Sequence, residues 1–144
     1  MSQYRISCDK EAMDWHYIHQ VIADSYWAKG ISQTTMFKAL DNSLCFAIFD
    51  AAGQQVGFAR LITDRATFAY LADVFVDEQH QKKGLSKLLL KAIMGHPDLQ
   101  GLRRIMLATR DAHGLYQQFG FEPIENPEML MQVWQPNVYR QLAE

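Results

Sequence analysis

Six consecutive residues, Gln79-His80-Gln81-Lys82-Lys83-Gly84, carry the types best suited to capturing an anion. Ahead of them, Tyr70 to Val76 is apolar and rich in β-formers, interrupted only by Asp73, which suits a strand covered on both faces. Behind them, Leu85, Leu88, Leu89, Ala92 and Ile93 recur at three- and four-residue spacing, one face of a helix beginning near Lys83 or Gly84. A helix start leaves backbone N–H groups without partners and carries partial positive charge. Gly84 lets the backbone come close to a ligand, and Lys82 and Lys83 add charge there. The chemistry on offer is retention of a phosphate or a carboxylate. A solvated strand-to-helix turn would use the same residues, and the residues alone do not separate the two.

Other residues could act on what the loop holds. Asp73 sits within an apolar strand, where an ionised carboxylate is costly unless paired. It is therefore either tied to backbone or to an arginine such as Arg60, or a functional group with a raised pKa that anchors or deprotonates an amine. Tyr26 and Trp27, next to Gly30, combine flat apolar surface with a polar tip, so they are either core plugs or the lining of an acceptor pocket. His16 and His19 lie three apart but have no Asp, Glu or Cys at a supporting spacing, so no metal site is expected.

The elements that must position these residues follow from periodicity. Tyr4, Ile6 and Cys8 alternate with polar residues and predict a first strand. Asp9 or Asp14 then caps a helix carrying Trp15, Ile18 and Ile22 inwards, and after Gly30 a second helix starts near Ser32 or Gln33. Leu44 to Asp50, Val56 to Thr63 and Thr67 to Val76 are three strands joined by short turns, an antiparallel meander. The helix to Met94 stops at Gly95-His96-Pro97, and Arg104 to Ala108 is a short buried strand. That connection has the length of a crossover, so this strand should run parallel to the strand ending at Val76. A helix from about Thr109 presents Ala112, Leu115, Tyr116 and Phe119 on one face up to Gly120, and Met129 to Trp134 reads as a last strand.

The chain as a whole narrows the function. Its 144 residues, 49% hydrophobic, suit a single domain, 1–144, of the α+β class. A net charge of −2, with no Lys/Arg run longer than two, argues against nucleic acid as a partner. The longest apolar run, Leu44 to Phe49, is far short of the ~20 residues that cross a bilayer. Two cysteines without metal spacing and no evident signal peptide predict a soluble, cytoplasmic protein that does not engage a membrane. No G-x-x-x-x-G-K-(S/T) occurs, which argues against a P-loop hydrolase.

The order of residues is more specific than the physics. Gln81-Lys82-Lys83-Gly84-Leu85-Ser86 resembles the (Gln/Arg)-x-x-Gly-x-(Gly/Ala) signature of the GNAT superfamily of acyl-CoA-dependent acyltransferases, with Ser86 standing where Gly or Ala is usual. Thr109 to Phe121 resembles that superfamily's Asn-x-x-Ala…Tyr-x-x-x-Gly-Phe segment, with Thr109 in place of Asn. The resemblance implies a mixed, mostly antiparallel central sheet flanked by helices, with a splayed parallel strand pair holding the cofactor. It implies acetyl-CoA (coenzyme A) as cofactor, bound through Gln81, Lys82, Lys83, Gly84, Leu85, Ser86 and Lys87, along the backbone of Val74, Phe75 and Val76, and beside Thr109 and Ala112. It implies Tyr116 as the acid that protonates the departing thiolate, and Tyr26 and Trp27 as binders of a small-molecule or peptide amine; no base stands out from it, and Asp73 stays a candidate to anchor or deprotonate the amine on the strength of its place in the strand alone. The implied reaction is N-acetyl transfer by direct attack; a non-catalytic acyl-CoA-binding module is the alternative. C-terminal strands of such proteins often pair between subunits, so a homodimer is among the expectations.

Overall fold

The computed structural model describes residues 3–143. Its sheet has the order β1-β2-β3-β4-β5, formed by β1 (Arg5–Ser7), β2 (Leu44–Phe49), β3 (Gln55–Thr63), β4 (Phe68–Val76) and β5 (Arg104–Met106). The first four pair antiparallel, and β5 joins β4 parallel through the register Phe68 to Arg104, Ala69 to Ile105 and Tyr70 to Met106. The α+β class and the splayed parallel pair expected above are both present.

Strand alternation explains why β2 is buried along its whole length. Leu44, Phe46 and Ile48 enter one core together with Leu85, Leu89, Leu90 and Ile93 of α3 (Leu85–Met94). Cys45, Ala47 and Phe49 enter a second core with Ile18 and Ile22 of α1 (Trp15–Ala23) and Met36 and Leu40 of α2 (Gln33–Asp41). Successive side chains leave a strand on opposite faces, so a sheet sandwiched between helix layers needs an unbroken apolar run.

The helix starts are set locally. Asp14 caps α1 by accepting from the Tyr17 N–H, Ser32 caps α2 by accepting from Thr35, and Asp9 caps a short 3-10 turn, Lys10–Ala12, by accepting from Glu11. Each satisfies an amide that the first helical turn leaves open.

Three expectations are corrected. The last strand does not form: Met129 closes a 3-10 turn, Pro127–Met129, and 130–134 has no regular structure, with Met131 97% and Val133 92% exposed. Apolar content alone does not make a strand: the segment pairs with neither the outer edge of β5 nor the open stretch of β4, and without a ladder of hydrogen bonds it stays irregular. The helix from Thr109 is shorter than expected, α4 (His113–Gln117), because Thr109 Oγ1 accepts from the Ala112 N–H and forms a separate turn ahead of it. β5 ends at Met106 rather than Ala108, as it diverges from β4 there. The tail that the sequence left open contains α5 (Val138–Ala143), whose Tyr139 packs on the second core.

Candidate active site

The site begins with a defect in the sheet. β3 and β4 pair Phe58 with Phe75 but Arg60 with Ala72, so Ala59 faces both Asp73 and Val74. This is a β-bulge, and Asp73 sits in it at φ +55°. Ala69 and Leu71 point into the α3 core; simple alternation would send Asp73 the same way. The extra residue turns it to the other face, where Arg60 and Trp27 lie. There Arg60 Nε donates to Asp73 Oδ2 at 2.5 Å, and Trp27 Nε1 donates to Asp73 Oδ1 at 2.6 Å. Arg60 also donates to Ser43 Oγ at 3.1 Å. Asp73 is 8% exposed, so its charge is buried, paired, and bonded at both oxygens.

Past the bulge β4 has no partner on one side. β5 pairs with it only as far as Tyr70, and the β5-facing groups of 71–76 are left open as the two strands part. Val74, Phe75 and Val76 line that open stretch.

At the end of the stretch lies the loop of the first motif. Asp77 Oδ1 accepts from the Gln79 N–H, and Gln81 Nε2 donates to the Val76 carbonyl, which ties the loop to the strand. Tyr4 of the chain entering β1 bonds His80 Nδ1 at 2.9 Å, and Lys83 Nζ donates to the Tyr4 hydroxyl. Lys82 adopts φ +65° and Gly84 φ +76°, so two left-handed residues curl the backbone just before α3. Among the described residues, no oxygen accepts from the N–H groups of 82–87. A run of open amides at a helix start and beside lysines is what a cradle for an anion requires. Nothing lies within 4 Å of where a Cβ on Gly84 would stand; its backbone angle, not crowding, is what calls for glycine. These donors fit the diphosphate of coenzyme A.

On the other side of the gap, α4 carries Tyr116, which is buried and meets Phe121 edge-on at 5.9 Å. Burial pushes its pKa above the usual phenol value, and the nearby Tyr26 adds to the rise. The hydroxyl therefore keeps its proton at neutral pH. Thr109 Oγ1 accepts from the Ala112 N–H, and a hydroxyl that accepts can still donate its own proton.

Tyr26 and Trp27 are not core plugs: they are 61% and 46% exposed and stack edge-on with centroids 5.1 Å apart. Arg110 lies over the Tyr26 ring at 3.5 Å, joining the α1–α2 loop to the segment between β5 and α4. Neither Arg110 nor Ser43 stood out in sequence, because each is defined by a partner distant along the chain. A groove of about 860 Å³ also runs along the outer side of β5 and α4, with Met106, Thr109, His113 and Tyr116 in its wall. No residue from 81 to 86 lines it, so it is separate from the anion cradle. Among the described residues no cluster of His, Cys, Asp and Glu is fit to hold a metal.

Residues 10–121 match the acetyltransferase (GNAT) family. The chain belongs to that family. A crystal structure of a Xanthomonas campestris protein described as an acetyltransferase of the GNAT family is 49% identical, covers 96% of this chain and 98% of its own, and superimposes with a TM-score of 0.93. A Gibberella zeae protein named as an acetyltransferase is 29% identical over 78% of this chain and 75% of its own length. The spermine/spermidine N(1)-acetyltransferase of Bacillus subtilis is 41% identical over 58 residues, 37% of this chain and 38% of that enzyme. In this GNAT chain both motifs read from sequence fall within the fold on the two sides of the β4/β5 gap, and no helix among the described residues is long and apolar enough to cross a membrane.

Proposed function

We propose that the protein transfers the acetyl group of acetyl-CoA to a primary amine of a small molecule or peptide, by direct attack of the amine. The observation that carries this reading is the β4 edge left open beyond Tyr70, with unpartnered amides at its C-terminal end and a protonated phenol on the helix that follows β5.

When bound, acetyl-CoA supplies an acyl group on a thioester that an amine can attack. The amides of 82–86, with Lys82, Lys83 and Lys87, hold the diphosphate. Open backbone groups at Val74, Phe75 and Val76 hold the pantetheine arm as an added strand would be held, and an N–H among them polarises the thioester carbonyl. Leu85 anchors the start of α3 in the core while Gln81 fixes the loop to Val76. Thr109 and Ala112 shape the wall beside the arm. Tyr116 holds the proton destined for the departing sulfur.

Asp73 works in this reading as a positioning residue. With both oxygens engaged it holds Trp27, and through Trp27 the Tyr26 ring, against the acceptor side. The free thiols Cys8 and Cys45 suit a reducing compartment such as the cytoplasm.

The test is release of free thiol from acetyl-CoA across a panel of primary amines, with CoA affinity measured by calorimetry. Release that depends on an amine is expected, and Tyr116→Phe should lower kcat on the order of 10²-fold while CoA affinity stays within about twofold. Tight CoA binding with no acceptor in a broad panel would instead mark a non-catalytic binding module. No CoA binding would sink both.

A further inference from the structure

One guanidinium at the acceptor side is held in place without being neutralised. Arg110 Cζ lies 3.5 Å from the Tyr26 ring centroid, Tyr26 is braced by Trp27, and Trp27 is tied by its indole N–H to Asp73. The chain of contacts therefore ends in the bulge of β4, one of the most buried points of the site. Stacking uses the flat face of a guanidinium and leaves its in-plane N–H donors free, arranged as a fork that matches an oxyanion. Among the described residues the ion pairs are Lys29 with Asp24, Arg60 with Asp73 and Arg65 with Asp98, and none involves Arg110. Asp111, next in the chain, makes no ion pair with it, and Asp73 is already matched by Arg60. The Tyr26 ring that carries Arg110 is also close enough to Tyr116 to raise that phenol's pKa.

We propose that Arg110 selects the acceptor: it receives a carboxylate or phosphate carried by the same small molecule whose amine is acetylated. This inference rests on the acetyl-transfer reading above. Its physical content is that a charge already ordered by stacking loses little freedom when it binds, so an oxyanion gains affinity where a neutral isostere does not. A polycationic amine would bring like charge to the same fork and be disfavoured.

The experiment uses the full chain saturated with coenzyme A and labelled with ¹⁵N-arginine, following the Arg110 Nε–H resonance. The probes are matched pairs resembling acetylated products: N-acetylglycine against N-acetylglycinamide, and N-acetyl-O-phosphoethanolamine against N-acetylethanolamine. At least one anionic member should shift the resonance saturably, with affinity at least tenfold above its neutral partner. Arg110→Gln should remove that difference as read by calorimetry, Arg110→Lys should restore part of it, and Tyr26→Ala should weaken it several-fold with CoA affinity unchanged. A response from only one anionic probe assigns the group as carboxylate or as phosphate. Equal affinity within both pairs, a difference that survives Arg110→Gln, or no saturable shift with any probe overturns the proposal. Failure to bind coenzyme A at all would instead overturn the acetyl-transfer reading beneath it.

Discussion

Replacing Asp73 separates its structural work from any catalytic work. The carboxylate is 6% and the Arg60 side chain 15% exposed, so both charges are largely out of water and solvent would do little to screen their separation. Asp73→Asn keeps an oxygen for the Trp27 indole and keeps a residue type that tolerates φ +55°. It loses the charge that Arg60 faces, which should cost about 2 kcal/mol. Asp73→Ala strands the guanidinium, leaves Trp27 Nε1 without its acceptor and places alanine in a left-handed conformation, for a total on the order of 4 kcal/mol. At about 2–4 °C per kcal/mol for a chain of this size, thermal unfolding should fall by roughly 4–8 °C and 8–16 °C. Removing both charges with Arg60→Met and Asp73→Leu should be milder than Asp73→Ala, because no buried ion is left alone. The kinetic arm uses Asp73→Asn below its melting range. A positioning residue predicts kcat within about tenfold of the parent and an unchanged pH profile, whereas a general base predicts a loss of about 10²–10⁴. If Asp73→Ala melts within a degree or two of the parent, the buried pair does not hold the bulge. If Asp73→Asn abolishes turnover while the fold survives, the positioning role is wrong.

Three other outcomes follow from the same geometry. Gly84→Val should strain a residue that sits at φ +76°, by about 1–2 kcal/mol, and weaken coenzyme A binding at least several-fold in calorimetry; parent-like affinity would show that the curled loop is not the diphosphate cradle. Burial pushes the Cys45 thiol up to about 11 from 9.0, so from about pH 9 the unfolded chain releases a proton that the folded chain keeps, and stability present in full below pH 9 is lost on approach to pH 11. Urea unfolding should show that loss as about 2–3 kcal/mol, and Cys45→Ala should flatten the slope; an equal slope in both proteins refutes the assignment. The bare apolar run Met129, Met131, Val133 and Trp134 leads to the expectation of a dimer, since about 400–500 Å² per copy would bring a two-fold contact near the lower bound for a stable interface. Light scattering on a sizing column should read two chains, and Val133→Asp with Trp134→Lys should read one; a parent that runs as a monomer at tens of micromolar removes the expectation.

What could be read from sequence was local. A helix face from Leu85 to Ile93, a helix start at Asp9 or Asp14 and another near Ser32 or Gln33, the fully apolar β2 and the Gln81 to Gly84 loop are all set by residues within a few positions of each other, so spacing and type place them to within a few residues. The partners of Asp73 were legible only as alternatives, because a bulge is decided by how two strands pair and not by either strand alone. Alternation sends residue 73 to the α3 face; the extra residue opposite Ala59 sends it to Arg60 and Trp27. The same holds for Met129 to Trp134, whose apolar content promises a strand that pairs with no edge of the sheet. It holds for Arg110 too, whose place is fixed by a ring that the fold brings over from the α1–α2 loop. Short-range periodicity therefore determined most of the elements and the place of the Gln81 to Gly84 loop between β4 and α3. The register of β3 on β4 and the contacts between distant loops, which cost chain entropy to bring together and exist only once the cores have formed, decided which charges are spent and which remain free to meet a substrate.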